Sequence, residues 1–280
     1  MMLVVVSAYA NVIEVGAIHD ATIFANNPNN ALGGGAAFFA GKNSSNATRR
    51  SLIVFDLSDI PSGSVINSVV LDLVLAEVSG GGDSLVRTVD LHRLQGGWSE
   101  GTSGWGQGPS GWGQGVSPPF PVSEHPATWT YQSYDSDVWT TAGGDFVSTV
   151  SGSAQIGTGV VGTPGDSSYR DQNVYTWIST QAMVSDVQGW LDDPASNFGW
   201  LLRGDESVKS TFRAFWSKEA HIQKAAYALY EPKLTIDYTA VPEPLSLVML
   251  ASAGLTWIIT RRTWRRCGPA TANRTTAAMK

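Results

Sequence analysis

The sequence predicts an all-β domain, an antiparallel β-sandwich with one short helix, followed by a C-terminal transmembrane helix. Three observations lead to this prediction: many short apolar or alternating runs separated by turn residues, one segment of helical periodicity, and one uncharged segment near the C-terminus. Short strands joined by Gly- and Pro-rich turns are typical of sandwiches. The chain has 280 residues, 42% of them hydrophobic, which is enough to bury a core.

Nine runs are predicted to be strands: 12–18, 20–25, 51–57, 65–78, 86–94, 173–178, 198–203, 211–217 and 233–239. The run 51–57 is nearly all apolar, as expected for a central strand, and 65–78 alternates imperfectly between apolar and polar positions. Pro-Ser-Gly at 61–63 and Gly-Gly-Gly-Asp at 80–83 mark turns on either side of that second run.

One helix is predicted between Thr180 and Asp192. Its apolar residues recur at helical spacing: Met183, Val184, Val187, Trp190 and Leu191. Thr180 is a suitable N-cap, and Asp193-Pro194 follows the last turn. A single helix laid across one opening of the sandwich is the simplest interpretation.

Residues 96–170 are the least regular part of the predicted domain, which spans 11–240. The hexapeptide Ser-Gly-Trp-Gly-Gln-Gly occurs twice, at 103–108 and 110–115. A segment so rich in Gly buries too little apolar surface to offset the entropy of ordering it. We therefore interpret 96–170 as a mobile, Gly- and Trp-rich insertion in one domain.

The N-terminus has the features of an export signal. An apolar run ends in Ala8-Tyr9-Ala10, a pattern that suits cleavage after Ala10. Residues 1–10 are therefore predicted to be a signal-peptide remnant. The alternative is a buried first strand.

The C-terminal segment has three elements in a fixed order. Pro242-Glu243-Pro244 precedes the uncharged residues 245–260, which would span about 24 Å as a helix. Four arginines follow, Arg261, Arg262, Arg265 and Arg266, and should stay cytoplasmic, with the body of the chain outside. Residues 241–266 resemble the PEP-CTERM sorting signal, and 267–280 form a basic tail. The resemblance implies an exosortase-type processing enzyme, transient anchoring in the inner membrane, and a link to exopolysaccharide and biofilm export.

Charge is unevenly distributed along the chain. Of the 24 acidic residues only Glu243 lies beyond position 240, whereas six of the 18 basic residues do. An acidic body does not bind nucleic acid by neutralising phosphates. Such a surface is compatible with neutral sugars or with calcium, and it repels anionic polymers unless cations or a local basic groove intervene.

Motifs distributed over 20–239 resemble the DNRLRE family of exported bacterial modules. They occupy 20–23 (Asp-Ala-Thr-Ile), 50–57, 66–73, 91–94 (Leu-His-Arg-Leu), 98–101 (Trp-Ser-Glu-Gly), 127–129, 197–206 and 232–238 (Pro-Lys-Leu-Thr-Ile-Asp-Tyr). The resemblance implies a jelly roll related to carbohydrate-binding modules, with an extracellular polysaccharide as ligand. Some members of that family bind alginate. The Gly-Trp repeat is a departure from the family pattern.

Aromatic residues are the best candidates for a binding site. Trp98, Trp105, Trp112, Trp129 and Trp139 lie in polar or Gly-rich surroundings, where an indole face can stack on a sugar ring. Glu100 is a candidate partner for sugar hydroxyls. For Trp98 and Trp129 the alternative is packing at the edge of the core. For Trp105 and Trp112 it is self-association or no role.

A structural calcium ion is a further expectation. Oxygen ligands from strand ends hold Ca²⁺ in many proteins. Asp20 lies at such an end, and Asp237 lies in the last predicted strand. Ordinary salt bridges or solvated acids are the alternative for these two residues.

Catalytic motifs are weak. The four histidines lack zinc-site spacing, and no G-x-S-x-G nucleophile motif occurs. Pairs of carboxylates remain as candidates for glycoside chemistry, although only their separation would decide the mechanism: Asp135/Asp137, Asp192/Asp193 and Asp205/Glu206. The sequence thus favours a non-catalytic module that binds polysaccharide. A biofilm-matrix protein acting through protein contacts and a polysaccharide hydrolase or lyase are the alternatives.

Overall fold

The computed structural model describes residues 9–79, 83–104 and 114–240, which belong to one compact unit, Tyr9–Ala240. Strands dominate, and every strand pair in the described ranges is antiparallel. The strands are β1 (Tyr9–Phe24), β2 (Ala31–Leu32), β3 (Ala37–Lys42), β4 (Thr48–Phe55), β5 (Val65–Val78), β6 (Arg87–Arg93), β7 (Tyr131–Ser133), β8 (Asp137–Val138), β9 (Gly152–Ile156), β10 (Val174–Trp177), β11 (Trp200–Arg203), β12 (Arg213–Trp216) and β13 (Lys233–Ala240). The helices are α1 (Tyr169–Asn173), α2 (Gln181–Asp192) and α3 (Ala220–Gln223), with 3₁₀ turns at Pro194–Ser196 and Ala225–Tyr230.

The first strand belongs to both layers of a sandwich-like fold. Its N-terminal half pairs with β13, with Tyr9 opposite Ala240, and its C-terminal half pairs with β4, with Ala17 opposite Phe55. The register shifts between Ala17 and His19, which marks a β-bulge. Because a bulge bends a strand and increases its twist, β1 can leave one layer and enter the other there.

The two layers are joined at a second place by β12. One layer contains β10, β5, β13 and the start of β1, and the other contains the end of β1, β4, β11, β6 and β9. β12 pairs with β5 on one side and with β3 on the other, and β3 pairs with β4. Strands β1, β13, β5, β12, β3 and β4 therefore form a closed ring, and ring closure removes exposed strand edges.

The main core lies between the layers and is closed by α2. Trp177, Trp200 and Phe215 are fully buried there. α2 packs four side chains on this core: Met183, Val187, Trp190 and Leu191. The ring centroids of Trp190 and Trp200 are 4.7 Å apart. The Thr180 hydroxyl accepts a hydrogen bond from Met183 N at 3.0 Å, as predicted for an N-cap.

The structure confirms α2 and most of the predicted strands, with some corrections. The runs 12–18 and 20–25 are one continuous strand, because the bulge bends β1 without ending it. β3 was not predicted, since its short Ala-Phe-Phe-Ala-Gly-Lys run follows a Gly-rich stretch. The single predicted helix is joined by the short helices α1 and α3.

The prediction of an irregular segment over 96–170 was wrong in part. β9 lies inside it and pairs with β6 along five residues, from Arg87 opposite Ile156 to Leu91 opposite Gly152. Trp139 was grouped with the polar-context tryptophans, but the residue is only 4% exposed and its Nε1 donates to Thr128 O at 2.9 Å. A satellite core with Leu94, Ala127 and Leu201 therefore orders much of this segment.

Both chain ends and the Gly-Trp repeat lie largely outside the described residues. This applies to 1–8, to Trp105 and Trp112, and to the sorting motif with its four arginines. Across the described part of the chain, no helix is long and apolar enough to cross a membrane. Ala10, the predicted end of the signal remnant, is paired in β1 opposite Thr239, and Asn11 continues the same pairing opposite Tyr238.

Candidate functional site

A groove of about 630 Å³ runs along the end of the sandwich beside α2, and we call it the Trp98 groove. Its walls come from β1, the β4–β5 connection, the segment after β6, and the turn between α2 and β11. The apolar part of its lining includes Ile18, Val54, Leu57, Trp98 and Phe198. A cleft with an apolar floor and a few polar groups is the usual form of a small-ligand site.

The bulge in β1 presents two neighbouring side chains to this groove. Side chains normally alternate between the faces of a strand, yet Ile18 is 43% exposed and the His19 side chain is 52% exposed. The register shift between Ala17 and His19 explains why both face the same opening. Asp20 then returns to the interior and is 2% exposed.

The indole of Trp98 is fixed at its polar end. Its Nε1 donates a hydrogen bond to Phe198 O at 3.1 Å, and its ring meets the His19 ring edge to face at 6.2 Å. The side chain is partly buried against the satellite core. Since the N–H is already used, what remains available to a ligand is apolar ring surface.

Polar groups flank this surface on the β4–β5 connection. Asp56 is exposed and lines the groove together with Ser58. Asp56 accepts hydrogen bonds from Ser58 N at 2.9 Å and from Ser58 Oγ at 2.8 Å. These bonds hold the pKa of Asp56 below its usual range, against a small opposing effect of burial. The groove therefore carries an ionised acceptor that can receive hydrogen bonds from hydroxyl groups.

The opposite wall depends on a glycine. Gly199 has φ +77° and immediately precedes β11, where a Cβ would lie 1.9 Å from Ile53 O of β4. Only glycine permits both this backbone conformation and this approach. The preceding Asn197 donates from Nδ2 to Phe55 O at 2.9 Å, which fixes the turn that presents Phe198.

Three carboxylates meet behind His19, and we call them the three-carboxylate cluster: Asp20, Glu100 and Glu219. They come from β1, from the segment after β6, and from the turn before α3, and one oxygen of each lies within 4.8 Å of the others. Glu100 Oε1 accepts from Asp20 N at 2.7 Å, and Glu100 Oε2 lies 3.0 Å from His19 Nδ1. The cluster thus contacts the groove through His19.

Lys218 is a second base in contact with this cluster, besides His19. Its Nζ lies 3.3 Å from Glu100 Oε1 and is paired closely with Glu219 Oε1, while its backbone N donates to Asp20 Oδ2 at 2.8 Å. Burial, followed by the charges of Glu219 and Glu100, raises the pKa of Asp20 well above its usual range. Burial also raises the pKa of Glu219, although the hydrogen bond and charge of Lys218 oppose this.

The structure separates the two residues predicted as calcium ligands. Asp237 lies opposite Val12 in the β1–β13 pair and is hydrogen-bonded to Asn67 Nδ2 at 2.9 Å. Asp20 is eight residues further along β1, about 26 Å for an extended strand. Asp20 instead meets Glu100 and Glu219, and sequence reasoning missed Glu219 because no local motif marks it.

Glu100 and Trp129 were predicted as sugar-contacting residues. The Glu100 side chain is only 12% exposed, and it belongs to the three-carboxylate cluster instead of facing the groove directly. Trp129 is partly buried in the satellite core, with the Arg50 guanidinium 5.0 Å from its ring centre. Of the predicted aromatic residues in the described ranges, Trp98 is the one that lines the groove.

The carboxylate pairs proposed for glycoside chemistry are also placed. Asp205 and Glu206 are engaged by arginines, with Arg87 Nη1 at 2.6 Å from Asp205 and Arg50 Nε at 2.7 Å from Glu206. Asp192 and Asp193 are exposed at the end of α2, and Asp135 and Asp137 are exposed around β8. Asp205 and Glu206 therefore form ion pairs within the fold.

Comparison with known proteins bears on this part of the molecule. The model of carbohydrate-binding module family 96 matches residues 11–145. This stretch is carbohydrate-binding-module-like. It includes most of β1, the β4–β5 connection and Trp98, and hence most of the groove described above. No curated protein matches the chain.

Proposed function

We propose that the chain is an exported, non-catalytic surface module that binds extracellular polysaccharide in the Trp98 groove. The observation that carries the proposal is an overlap: the stretch similar to a carbohydrate-binding module family contributes the aromatic floor and the polar rim of the same groove. A sugar ring has apolar C–H faces and hydroxyl edges. The indole of Trp98 offers a partner for the former, and Asp56, Ser58 and His19 offer partners for the latter.

The charge of the groove favours a neutral glycan. Asp56 is held ionised at the rim by Ser58, and the neighbouring Asp59 is exposed. The lining contains no lysine or arginine among the described residues. A polyuronate would meet like charge here, which raises the energetic cost of binding. We therefore expect a neutral, hydroxyl-rich polysaccharide to bind more tightly than an anionic one.

Affinity electrophoresis of the full chain through gels that contain a neutral polysaccharide tests the proposal. We expect the wild-type chain to be retarded, Trp98→Phe to be retarded less, and Trp98→Ala to lose retardation. Phenylalanine keeps an aromatic face but loses the hydrogen bond to Phe198 O, whereas alanine removes the stacking surface. Stacking of a nucleic-acid base on an aromatic side chain contributes about 1–3 kcal/mol, so by analogy we expect the affinity to fall by roughly 5- to 150-fold.

Phe146→Ala is the matched control. Phe146 packs on the same satellite core as Trp98, yet it faces a different cleft, lined by Gln95, Gln132 and Asp145. The control should lose similar packing and keep its retardation. Equal retardation of wild type and Trp98→Ala would contradict binding in the groove. Retention by a polyuronate alone would contradict the charge argument.

Export and sorting complete the proposal. The resemblance of 241–266 to a PEP-CTERM signal, with Pro242, Glu243 and Pro244 before an uncharged segment and four arginines after it, supports a membrane-anchored precursor. Recognition by an exosortase-type enzyme and a place in the extracellular matrix follow from that resemblance. Fractionation of cells that express the full chain tests this: membrane or extracellular recovery is expected, and recovery of the intact chain from the cytosol would contradict it.

A further inference from the structure

When all three of its carboxylates are ionised, the three-carboxylate cluster carries more negative charge than the neighbouring bases balance. Asp20 and Glu219 are each 2% exposed, and the Glu100 side chain is 12% exposed. Lys218 is the one base within 4 Å of these carboxylates apart from His19, as far as the described residues extend. Burying an ionised carboxylate without a compensating charge is costly, so three together need more positive charge than one ammonium supplies.

A second observation points to an absent ligand. Glu219 Oε2 is fully buried and has no hydrogen-bond partner in the described part of the chain. The other oxygen of the same carboxylate is paired with Lys218, and the backbone N of Glu219 donates to Ser217 Oγ at 3.0 Å. Glu219 is therefore held firmly in place while one strong acceptor remains unused. Buried acceptors in folded proteins are normally satisfied, by protein, water or an ion.

We propose that Asp20, Glu100 and Glu219 form a binding site for a divalent cation, with Ca²⁺ as the expected ion. One oxygen of each carboxylate lies within 4.8 Å of the others, which is the spacing of ligands around one ion. All three ligands are oxygen donors, the type that Ca²⁺ prefers, and water completes its flexible coordination shell of 6–8 oxygens. Mg²⁺ requires nearly ideal octahedral geometry and gives up its waters reluctantly, so we expect weaker binding of Mg²⁺.

Lys218 acts in this proposal as the counter-ion of the cation-free state. Its side chain is 23% exposed, so the ammonium can turn towards solvent on its flexible stem when a cation enters. A bound divalent ion supplies twice the charge and contacts all three carboxylates. Removal of the ammonium should therefore increase cation affinity, because the cation no longer competes with it for Glu100 and Glu219.

The cation site is connected to the Trp98 groove, and this step depends on the proposed function. Glu100 Oε2 lies 3.0 Å from His19 Nδ1, and the His19 ring packs on the edge of Trp98. A cation that fixes Glu100 also fixes the orientation of His19 at the groove. Glycan affinity should therefore be higher in the presence of Ca²⁺ than in the presence of a chelator.

Thermal unfolding and calorimetric titration of the full chain test the site without any glycan. After treatment with EDTA and removal of the chelator, millimolar Ca²⁺ should raise the unfolding midpoint by several degrees, since a ligand that binds only the folded state stabilises it. Glu219→Gln keeps the size of the side chain and should lose this shift. Asp56→Asn, which removes a carboxylate from the groove rim, is the matched control and should keep it.

Lys218→Met is the second variant, and circular dichroism of each variant confirms folding. We expect Lys218→Met to bind Ca²⁺ at least about tenfold more tightly than wild type, because a competing charge is gone. The proposal is overturned if wild type and Lys218→Met both fail to respond to Ca²⁺, or if Glu219→Gln retains the full shift. A larger response to Mg²⁺ than to Ca²⁺ would overturn the choice of ion.

Affinity electrophoresis with and without EDTA separates the two proposals. Retardation that weakens in EDTA supports the link through His19. If Ca²⁺ raises the unfolding midpoint but EDTA leaves the retardation unchanged, the cation site is supported and its coupling to the groove through His19 is contradicted. A calcium shift in a chain that binds no glycan contradicts the proposed function alone.

Discussion

Two clusters of charged side chains in this domain differ in how closely their acidic and basic groups balance. The arginine cluster joins Asp83, Asp205, Arg87 and Arg213, two acids and two bases, with Arg213 fully buried and Asp83 3% exposed. The three-carboxylate cluster joins three acids to Lys218 and to a histidine. Both lie where distant parts of the chain meet, yet only the first is balanced by permanent charges.

Hydrogen bonding follows the same division. Each arginine of the first cluster reaches Asp83 at 3.0 Å, and Arg213 also donates to Gly157 O and Leu85 O, both at 2.8 Å. In the second cluster Glu219 Oε2 has no partner among the described residues. Buried ion pairs are tolerated when their remaining donors and acceptors are satisfied. The difference indicates that the arginine cluster is satisfied within the fold, and it agrees with our proposal that the three-carboxylate cluster binds a cation.

The largest expected effect comes from removing the balance of the arginine cluster. Arg213→Met keeps much of the side-chain volume but leaves the Asp83 side chain with one arginine and removes the hydrogen bonds that Arg213 donates to Gly157 O and Leu85 O. Loss of one partner of a buried pair costs about 3–5 kcal/mol. Urea denaturation should therefore show a free energy of unfolding lower by roughly that amount.

The control for this variant is Arg203→Met. Arg203 pairs with Glu206 at 3.2 Å, but its side chain is 43% exposed and Glu206 keeps Arg50 as a second partner. Its loss should lower the free energy of unfolding by less than about 1 kcal/mol. Similar losses for the two variants would contradict the view that burial makes the arginine cluster important.

The sequence predicted the parts of the fold that local patterns specify. α2 was predicted within one residue because Thr180 and Asp193-Pro194 mark its ends, and 65–78 was predicted from apolar alternation. β9 was missed because Gly-Ser-Ala-Gln-Ile has little β-propensity of its own, and only pairing with β6 makes it a strand. The two-layer path of β1 depends on a bulge, which no residue pattern announces.

Part of the candidate site was predicted from the sequence. Trp98 was identified as a polar-context aromatic residue, and Asp20 as an oxygen ligand at a strand end. Glu219 was missed because it is 199 positions from Asp20 and becomes its neighbour only when the turn after β12 packs against β1. Asp237 was chosen because it lies in the last predicted strand, but the register of the β1–β13 pair places it opposite Val12.

A second prediction concerns the free energy of unfolding in acid, where the aspartates of the arginine cluster become protonated. Burial alone would raise the pKa of Asp83, but hydrogen bonds from Arg87, Leu85 N and Arg213 outweigh it and hold the pKa below its usual range. The pKa of Asp205 is lowered in the same way, by Ser207 and Arg87 against burial. A lowered pKa in the folded state stabilises the fold above the unfolded aspartate value of about 3.9, and this contribution is lost as pH falls through the folded value.

Urea midpoints measured from neutral pH to about pH 2 should therefore fall below roughly pH 4 in the wild-type chain. Asp83→Asn lacks the titrating group, so its stability should be lower at neutral pH and should decline less steeply in acid. The two curves should approach each other at the acid end. Parallel curves throughout the range would show that Asp83 contributes no pH-dependent stability.

The smallest expected effect concerns an ion pair with similar geometry at the surface. Lys233 Nζ lies 2.8 Å from Glu14 Oε2 across the β1–β13 pair, closer than either arginine lies to Asp83. Glu14 is 59% exposed and Lys233 is 42% exposed, so solvent screens their attraction. Glu14→Gln should lower the free energy of unfolding by no more than about 0.5 kcal/mol, measured by urea denaturation at low salt.

Salt provides the control that separates distance from burial. The screening length shortens to about 3 Å at 1 M salt, so the small effect of Glu14→Gln should disappear there. The loss in free energy of unfolding caused by Arg213→Met should persist at 1 M salt, because it arises from unpaired groups removed from solvent. Equal losses in free energy of unfolding for Glu14→Gln and Arg213→Met at both salt concentrations would contradict this view. The N–O distance, and not burial or charge balance, would then determine the strength of these pairs.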